Sequence, residues 1–240
     1  MNIKNVSTCE LSAILAGNLD FVLERYVLIE DKLCKKPVYK FIDAYISDPN
    51  IPEFCLIYCE ADDPDEIFVS FNSDIFESIA QKYNPSKVIR HGGPGGVESY
   101  YRAGGQPIRA PAGNIRLLTR QDKPDKIIAD DYFEIIFRDF IERQIYRDCA
   151  VIAVTDAHDN FAGYLAYYGI AENIMDVSYI YVAENHRGKG YGKALLEFFA
   201  GKNAAENKIS YYSYADGEIS ANLAKSCGFL PCAKRTETNA

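Results

Sequence analysis

The chain has 240 residues, 48% of them hydrophobic, and a formal net charge of −8. That length can bury one large core or two modest ones, and the acidic balance excludes a general nucleic-acid binder, which needs a basic face. The start, Met1-Asn-Ile-Lys-Asn-Val-Ser, lacks an apolar signal core and no run reaches membrane-spanning length, so a cytoplasmic protein with no membrane partner is expected. The seven cysteines are an odd number without framework spacing and read as reduced thiols. Cys55 and Cys59 have no second pair or neighbouring histidine to complete a zinc site, and the three histidines, His91, His158 and His186, stand apart. No metal is expected, and each histidine reads as a surface or loop residue.

In chain order, Ser7-Thr-Cys-Glu10 is a capping box opening a short helix that Gly17 stops. An amphipathic helix over 19–33 follows, and Pro37 starts another through Tyr45. Phe54 to Cys59 and Ile67 to Phe71 read as strands, Ile75 to Tyr83 as a helix capped by Asn72-Ser-Asp74, and Lys87 to Arg90 as a strand. The glycine- and proline-rich stretch from His91 to Gly113 reads as a connection, placing a domain boundary near residue 113. Beyond it, Ile115–Thr119 is a strand, Asp122 to Arg147 one or two helices, and Cys149–Asp156, Phe161–Ile170 and Ile174–Val182 three consecutive strands. A helix over Tyr191–Lys202, a strand over Ile209–Tyr214, a helix over Gly217–Cys227 and a last strand from Phe229 complete a mixed α/β layer fold. No internal repeat is visible.

The chemistry concentrates in Arg187-Gly-Lys-Gly-Tyr-Gly192, between the strand ending at Val182 and the helix that follows. Free backbone N–H groups, the positive end of a helix dipole and the cations Arg187, Lys189 and Lys193 meet there, which suits a phosphate or pyrophosphate. The nucleotide P-loop is excluded, because Lys193 is followed by Ala194 and position 187 is not glycine. The dinucleotide fingerprint fails too, since the glycines fall at 188, 190 and 192.

This turn resembles the Q/R-x-x-G-x-G/A motif of the GNAT superfamily of acyl-CoA-dependent N-acyltransferases. The element order over 114–240 and the closing Ser220-Ala-Asn-Leu-Ala-Lys-Ser-Cys-Gly228-Phe229 are similar to that fold. Residues 1–113 resemble the divergent, smaller α/β half that precedes the catalytic one in some two-domain members, with substrate contacts or a homodimer contact as its role. The resemblance implies that Arg187, Gly188, Lys189, Gly190, Tyr191 and Gly192, with Lys193, hold the coenzyme A pyrophosphate. It also implies that the backbone of Ile180, Tyr181 and Val182 pairs with the pantetheine arm.

The implied reaction is direct attack of a small-molecule or peptide amine on acetyl-CoA, with no covalent enzyme intermediate and no metal. Asp176 is the first candidate base, with Glu172, Glu184 and a water relay as alternatives. Many relatives carry a tyrosine acid where this chain has Ala224; Tyr212 and Tyr214 on the adjacent strand are the candidate substitutes. Gly217 stands where the family has asparagine. Two readings compete with acetyl transfer: a non-catalytic acyl-CoA-binding module, and transfer of a longer acyl group.

Overall fold

A computed structural model of the chain describes residues 3–16, 18, 21, 24, 27–28, 39–48, 51–91, 97–103, 114–122, 132–143, 148–171, 173–213 and 217–239. Most of the helix expected over 19–33, the boundary near 113, Glu172 and Tyr214 lie outside these residues. The contacts group residues 1–99 with 232–240 as one unit and residues 100–231 as a second. Among the described residues no helix is long and apolar enough to cross a membrane.

The first unit opens with β1 (Lys4–Asn5) and α1 (Thr8–Ile14). The capping box forms as its sequence implies: the Glu10 N–H donates to Ser7 Oγ at 3.3 Å, and the Ser7 N–H to Glu10 Oε2 at 2.9 Å. Next come β2 (Tyr39–Asp48), β3 (Ile51–Glu60) and β4 (Ile67–Phe71). A broken helical segment, with α2 at Glu77–Ala80 between two 3₁₀ turns, leads to β5 (Lys87–His91).

The helix expected from Pro37 to Tyr45 is therefore corrected: Tyr39–Asp48 is a strand. Its apolar residues satisfy a period of two as well, and pairing with β3 from Tyr39↔Glu60 to Asp48↔Ile51 buries Ala44 and Ile46. The strand order is β1-β2-β3-β4-β5-β12, where β12 (Leu230–Asn239) enters the unit through its later residues, Arg235 to Asn239 opposite His91 to Lys87.

In the second unit β6 (Val97–Ala103) contributes Tyr100 to Ala103, and β7 (Ile115–Leu117) follows. Then α3 (Phe133–Phe137) widens into a π-helical turn over Arg138–Arg143. The remainder is β8 (Ala150–Thr155), β9 (Phe161–Ala171), β10 (Ile174–Val182), α4 (Tyr191–Ala205), β11 (Ile209–Tyr212) and α5 (Gly217–Ser226). The spatial order is β6-β11-β10-β9-β8-β7. β6 was not anticipated, because glycine-rich stretches flank it; its Tyr100 is wholly buried in the second unit's core.

The two orders superimpose as topologies. Each unit runs antiparallel through three strands and then has a parallel pair, β4 with β5 and β10 with β11, separated by a helix. An antiparallel strand adds to the far side of the parallel pair, β12 in the first unit and β6 in the second. A repeat is thus present in the fold although none is visible in the sequence.

Candidate active site

β10 places the site. Its pairing with β11 runs Ile174↔Ile209, Met175↔Ser210 and Asp176↔Tyr211 and goes no further among the described residues, while β10 continues to Val182. On its other edge β10 pairs with β9 throughout, with a register shift between Val177 and Tyr179 that leaves Ser178 as an exposed bulge. The extra residue inverts the side-chain alternation. Met175 and Val177 face the core under α4, and beyond the bulge Ile180 and Val182 do so, while Tyr179 and Tyr181 face the α3 side. Among the described residues, β10 thus runs on past its last pair with β11, toward the glycine turn.

Close approach holds that edge. A Cβ on Gly163, opposite Val182 in β9, would overlap the Tyr181 carbonyl oxygen and stand 3.2 Å from Val182 Cα. Only glycine lets the two backbones meet this closely.

The turn itself has the form the spacing implied. Gly188 and Gly190 adopt φ of 74° and 88°, the left-handed region that favours glycine. Gly190 is the N-cap of α4 and no side chain caps the helix, so the first-turn N–H groups point outward at the positive end of a 15-residue helix. A Cβ at Gly188 or Gly190 would meet nothing within 4 Å: the space above the turn is open to a ligand.

The Arg187 Nε donates to Val182 O at 3.2 Å, folding that cation back on the strand end. Lys193 lies 3.6 Å from Glu197. A pocket of about 670 Å³ runs along the edge and the turn. Of the residues singled out in the sequence, Ile180, Tyr181, Val182, Arg187, Gly188, Gly190, Tyr191, Gly192 and Lys193 line it; Lys189 is exposed outside the wall.

His186 is a correction. The sequence reads it as a surface or loop residue, but it is buried, its Nε2 3.2 Å from Asp156 Oδ2 and its Nδ1 2.7 Å from Asn185 Oδ1. Asp156 also accepts from the His158 and Asn160 N–H groups, so one carboxylate ties the β8–β9 hairpin to the loop before the glycine turn. The His186 bond foremost holds its carboxyl below the usual range. No sequence signal joins residues 30 apart, and the pair is visible only in the fold.

Asp176 is buried at the point where β11 leaves, accepting from the Ser213 N–H at 3.0 Å and Ser213 Oγ at 2.7 Å. It lies behind the pocket wall rather than in it. Tyr212 is likewise buried in the core. Burial raises its pKa, while a hydrogen bond with Ser220 opposes that rise, and Ser220 does line the pocket. Glu184 is exposed at the start of a 3₁₀ turn. Ile219, 87% exposed, and Leu223 complete the wall from α5.

Ala224 is wholly buried, and its carbonyl accepts from the Phe229 N–H at 3.1 Å while Gly228 takes φ 74°. This is a Schellman cap, and it explains the closing Gly228-Phe229 physically: the glycine turns the chain and Phe229 drops into the core. Among the described residues no group of three or more His, Cys, Asp or Glu is placed to hold a metal.

The sequence pattern described as the Acetyltransferase (GNAT) family matches residues 115–229. Residues 115–229 form a GNAT-family domain. Solved structures extend the likeness in fold to nearly the whole chain. A GNAT-family acetyltransferase from Colwellia psychrerythraea is 12% identical with a TM-score of 0.55, covering 100% of this chain and 99% of that one. A GCN5-related N-acetyltransferase from Sphaerobacter thermophilus is 10% identical with a TM-score of 0.56, covering 99% and 95%. A tandem GNAT protein from the clavulanic acid biosynthesis pathway is 11% identical with a TM-score of 0.53, covering 99% and 98%. No curated protein matches the sequence. At these identities the structures speak for the fold alone, and the fold includes the first unit.

That unit's equivalent of the GNAT opening is closed. β4 and β5 pair from Phe68↔Lys87 to Phe71↔Arg90, up to the last residue of β4. The turn after β4 is Asn72-Ser73, without glycine, and the Phe54 N–H donates to Asn72 Oδ1 at 2.8 Å. Ser70 stands at the third ladder pair, as Asp176 does, and bonds to His91 two residues beyond its partner, as Asp176 bonds to Ser213. Glu24 joins the first-unit pair, 3.0 Å from Ser70 Oγ and 2.9 Å from His91 Nε2.

Proposed function

We propose that this protein is an N-acetyltransferase that moves an acetyl group from acetyl-CoA to a primary amine by direct attack. The observation carrying this is the open edge of β10 running into an uncapped, glycine-lined helix start. The residues present fit the coenzyme: the α4 N-terminus and Gly188 to Gly192 offer backbone donors to a pyrophosphate, with Arg187 and Lys193 as counter-charges. The β10 backbone at Ile180, Tyr181 and Val182 supplies an edge for the pantetheine amides. Acetyl-CoA supplies the activated thioester.

Near the bulge, a backbone N–H of β10 stabilises the developing oxyanion. Asp176 receives the proton lost by the amine through ordered water, because its carboxylate sits behind the wall. Tyr212 stays protonated, given its raised pKa, and through Ser220 it orders a hydroxyl donor toward the departing thiolate. Direct attack is favoured over a cysteine relay because burial pushes the nearby Cys227 thiol up to about 11, leaving little thiolate at neutral pH.

The test follows free-thiol release from acetyl-CoA with a panel of amines. Turnover is expected with at least one amine, falling in Asp176→Asn, and Gly190→Val is expected to abolish coenzyme binding because φ of 88° disfavours a branched side chain and that side chain would project into the open space above the turn. Ala224 in place of the family tyrosine favours a second reading, a non-catalytic acyl-CoA-binding module. Coenzyme binding with no turnover on any amine would select that reading. Preference for longer thioesters would replace acetyl by a longer acyl group.

A further inference from the structure

The pocket wall carries more than the coenzyme requires. From Val182 back to Val177 is five residues of strand, about 17 Å. With the pyrophosphate at the glycine turn, the thioester therefore reaches the stretch where β11 has left and Ser178 bulges. The residue next to that point is Tyr179. Its ring packs on two others: Tyr164, wholly buried, is 5.7 Å from Tyr179 at 27°, and Tyr132 is 5.8 Å from Tyr179 at 28°.

Tyr132, at the start of α3, is 59% exposed. One turn on, Ile135 is 43% exposed on the same face, while Phe133 and Phe137 of that helix are buried. An aromatic surface thus leads from solvent to the reaction point. Among the described residues lining the pocket there is no carboxylate, and its cations stand at the glycine-turn end. The described pocket-lining residues offer a polyamine no counter-charge, whereas a flat ring would find a surface to stack on.

We propose that the acceptor is an arylalkyl primary amine, its aromatic ring stacking on the Tyr132–Tyr179 surface so that its amino group reaches the thioester beside Ser178. This rests on the acyl-transfer reading and narrows it to a substrate class. Tyr132 and Tyr179 are then specificity residues, and the excess of aromatic surface beside a buried base has a purpose.

The experiment compares phenethylamine and benzylamine with spermidine and lysine in the thiol-release assay, using the full chain, alongside calorimetric titration of each amine into protein saturated with coenzyme A. Arylalkylamines are expected to exceed the aliphatic amines in kcat/KM by more than about tenfold. Tyr132→Ala is expected to raise their KM about tenfold, with coenzyme A affinity unchanged.

A better kcat/KM for spermidine or lysine, or an unchanged arylalkylamine KM in Tyr132→Ala, overturns the proposal and leaves acyl transfer standing. Coenzyme A binding without either turnover or binding of arylalkylamines also overturns it. A protein that binds no coenzyme A overturns the acyl-transfer reading and this proposal with it.

Discussion

Gly163 and Val182 meet across β9 and β10 with no room for a side chain between them. Gly163→Ala must push the two strands apart, at a cost of about 1–3 kcal/mol, and the displaced edge is the one that lines the pocket. Urea unfolding and calorimetry of coenzyme A should register both losses together; lost stability with intact affinity would separate Gly163 from the site. A second prediction concerns pH. Asp122 receives both guanidinium nitrogens of Arg116, at 2.5 and 3.1 Å, and the Thr119 N–H at 2.8 Å.

Arg116 is the main cause that lowers the Asp122 pKa to about 2. A depressed carboxylate contributes stability that is complete above its unfolded pKa and is lost as pH falls through the folded one. The gap between parent and Asp122→Asn should therefore be full at pH 7 and close between about 4 and about 2. Urea midpoints at several pH values measure it, and a gap that persists at pH 2 contradicts the role. At this scale the sequence exposed what is local. The glycines at 188, 190 and 192 sit within one turn, whereas Gly163 and the Asp156–His186 pair depend on residues brought together from distant positions.

At the scale of elements, α4 joins the glycine turn to the core. It is buried around most of its circumference, with Tyr191, Leu195, Leu196 and Phe199 inside. Phe199 is wholly buried and packs on Tyr167 at 5.0 Å between ring centroids. Phe199→Ala should cost about 3–5 kcal/mol by the cavity it leaves, read as an earlier urea transition of the second unit. A smaller loss would mean the helix settles into the gap. The strands Ile67–Phe71 and Ile174–Val182 are legible from the sequence because apolar runs bounded by turns admit few alternatives. Tyr39–Asp48 is not, since Pro37 mimics a helix start and the decision belongs to pairing with β3. The bulge at Ser178 and the point where β11 departs have no sequence mark either, yet they create the opening.

For the whole molecule, two copies of one topology have had different outcomes. The second unit keeps an open parallel pair and a glycine turn; in the first, β4 and β5 are paired to the end of β4 and the turn is folded onto β3. One coenzyme A per chain is expected, and calorimetric titration gives that number directly. A stoichiometry of two would mean that the first unit opens. The repeat was hidden because topology tolerates complete replacement of side chains, provided each strand keeps its apolar face.

The placement of β12 has a consequence in time. Arg235 pairs with His91, 144 positions earlier (235 − 91). During synthesis at ordinary rates the first unit waits on the order of ten to thirty seconds for its last strand. Throughout that interval the outer edge of β5 presents unpaired peptide groups, a template for any other extended chain nearby. The nascent chain is thus most vulnerable to misassembly while the second unit, residues 100–231, is still being made.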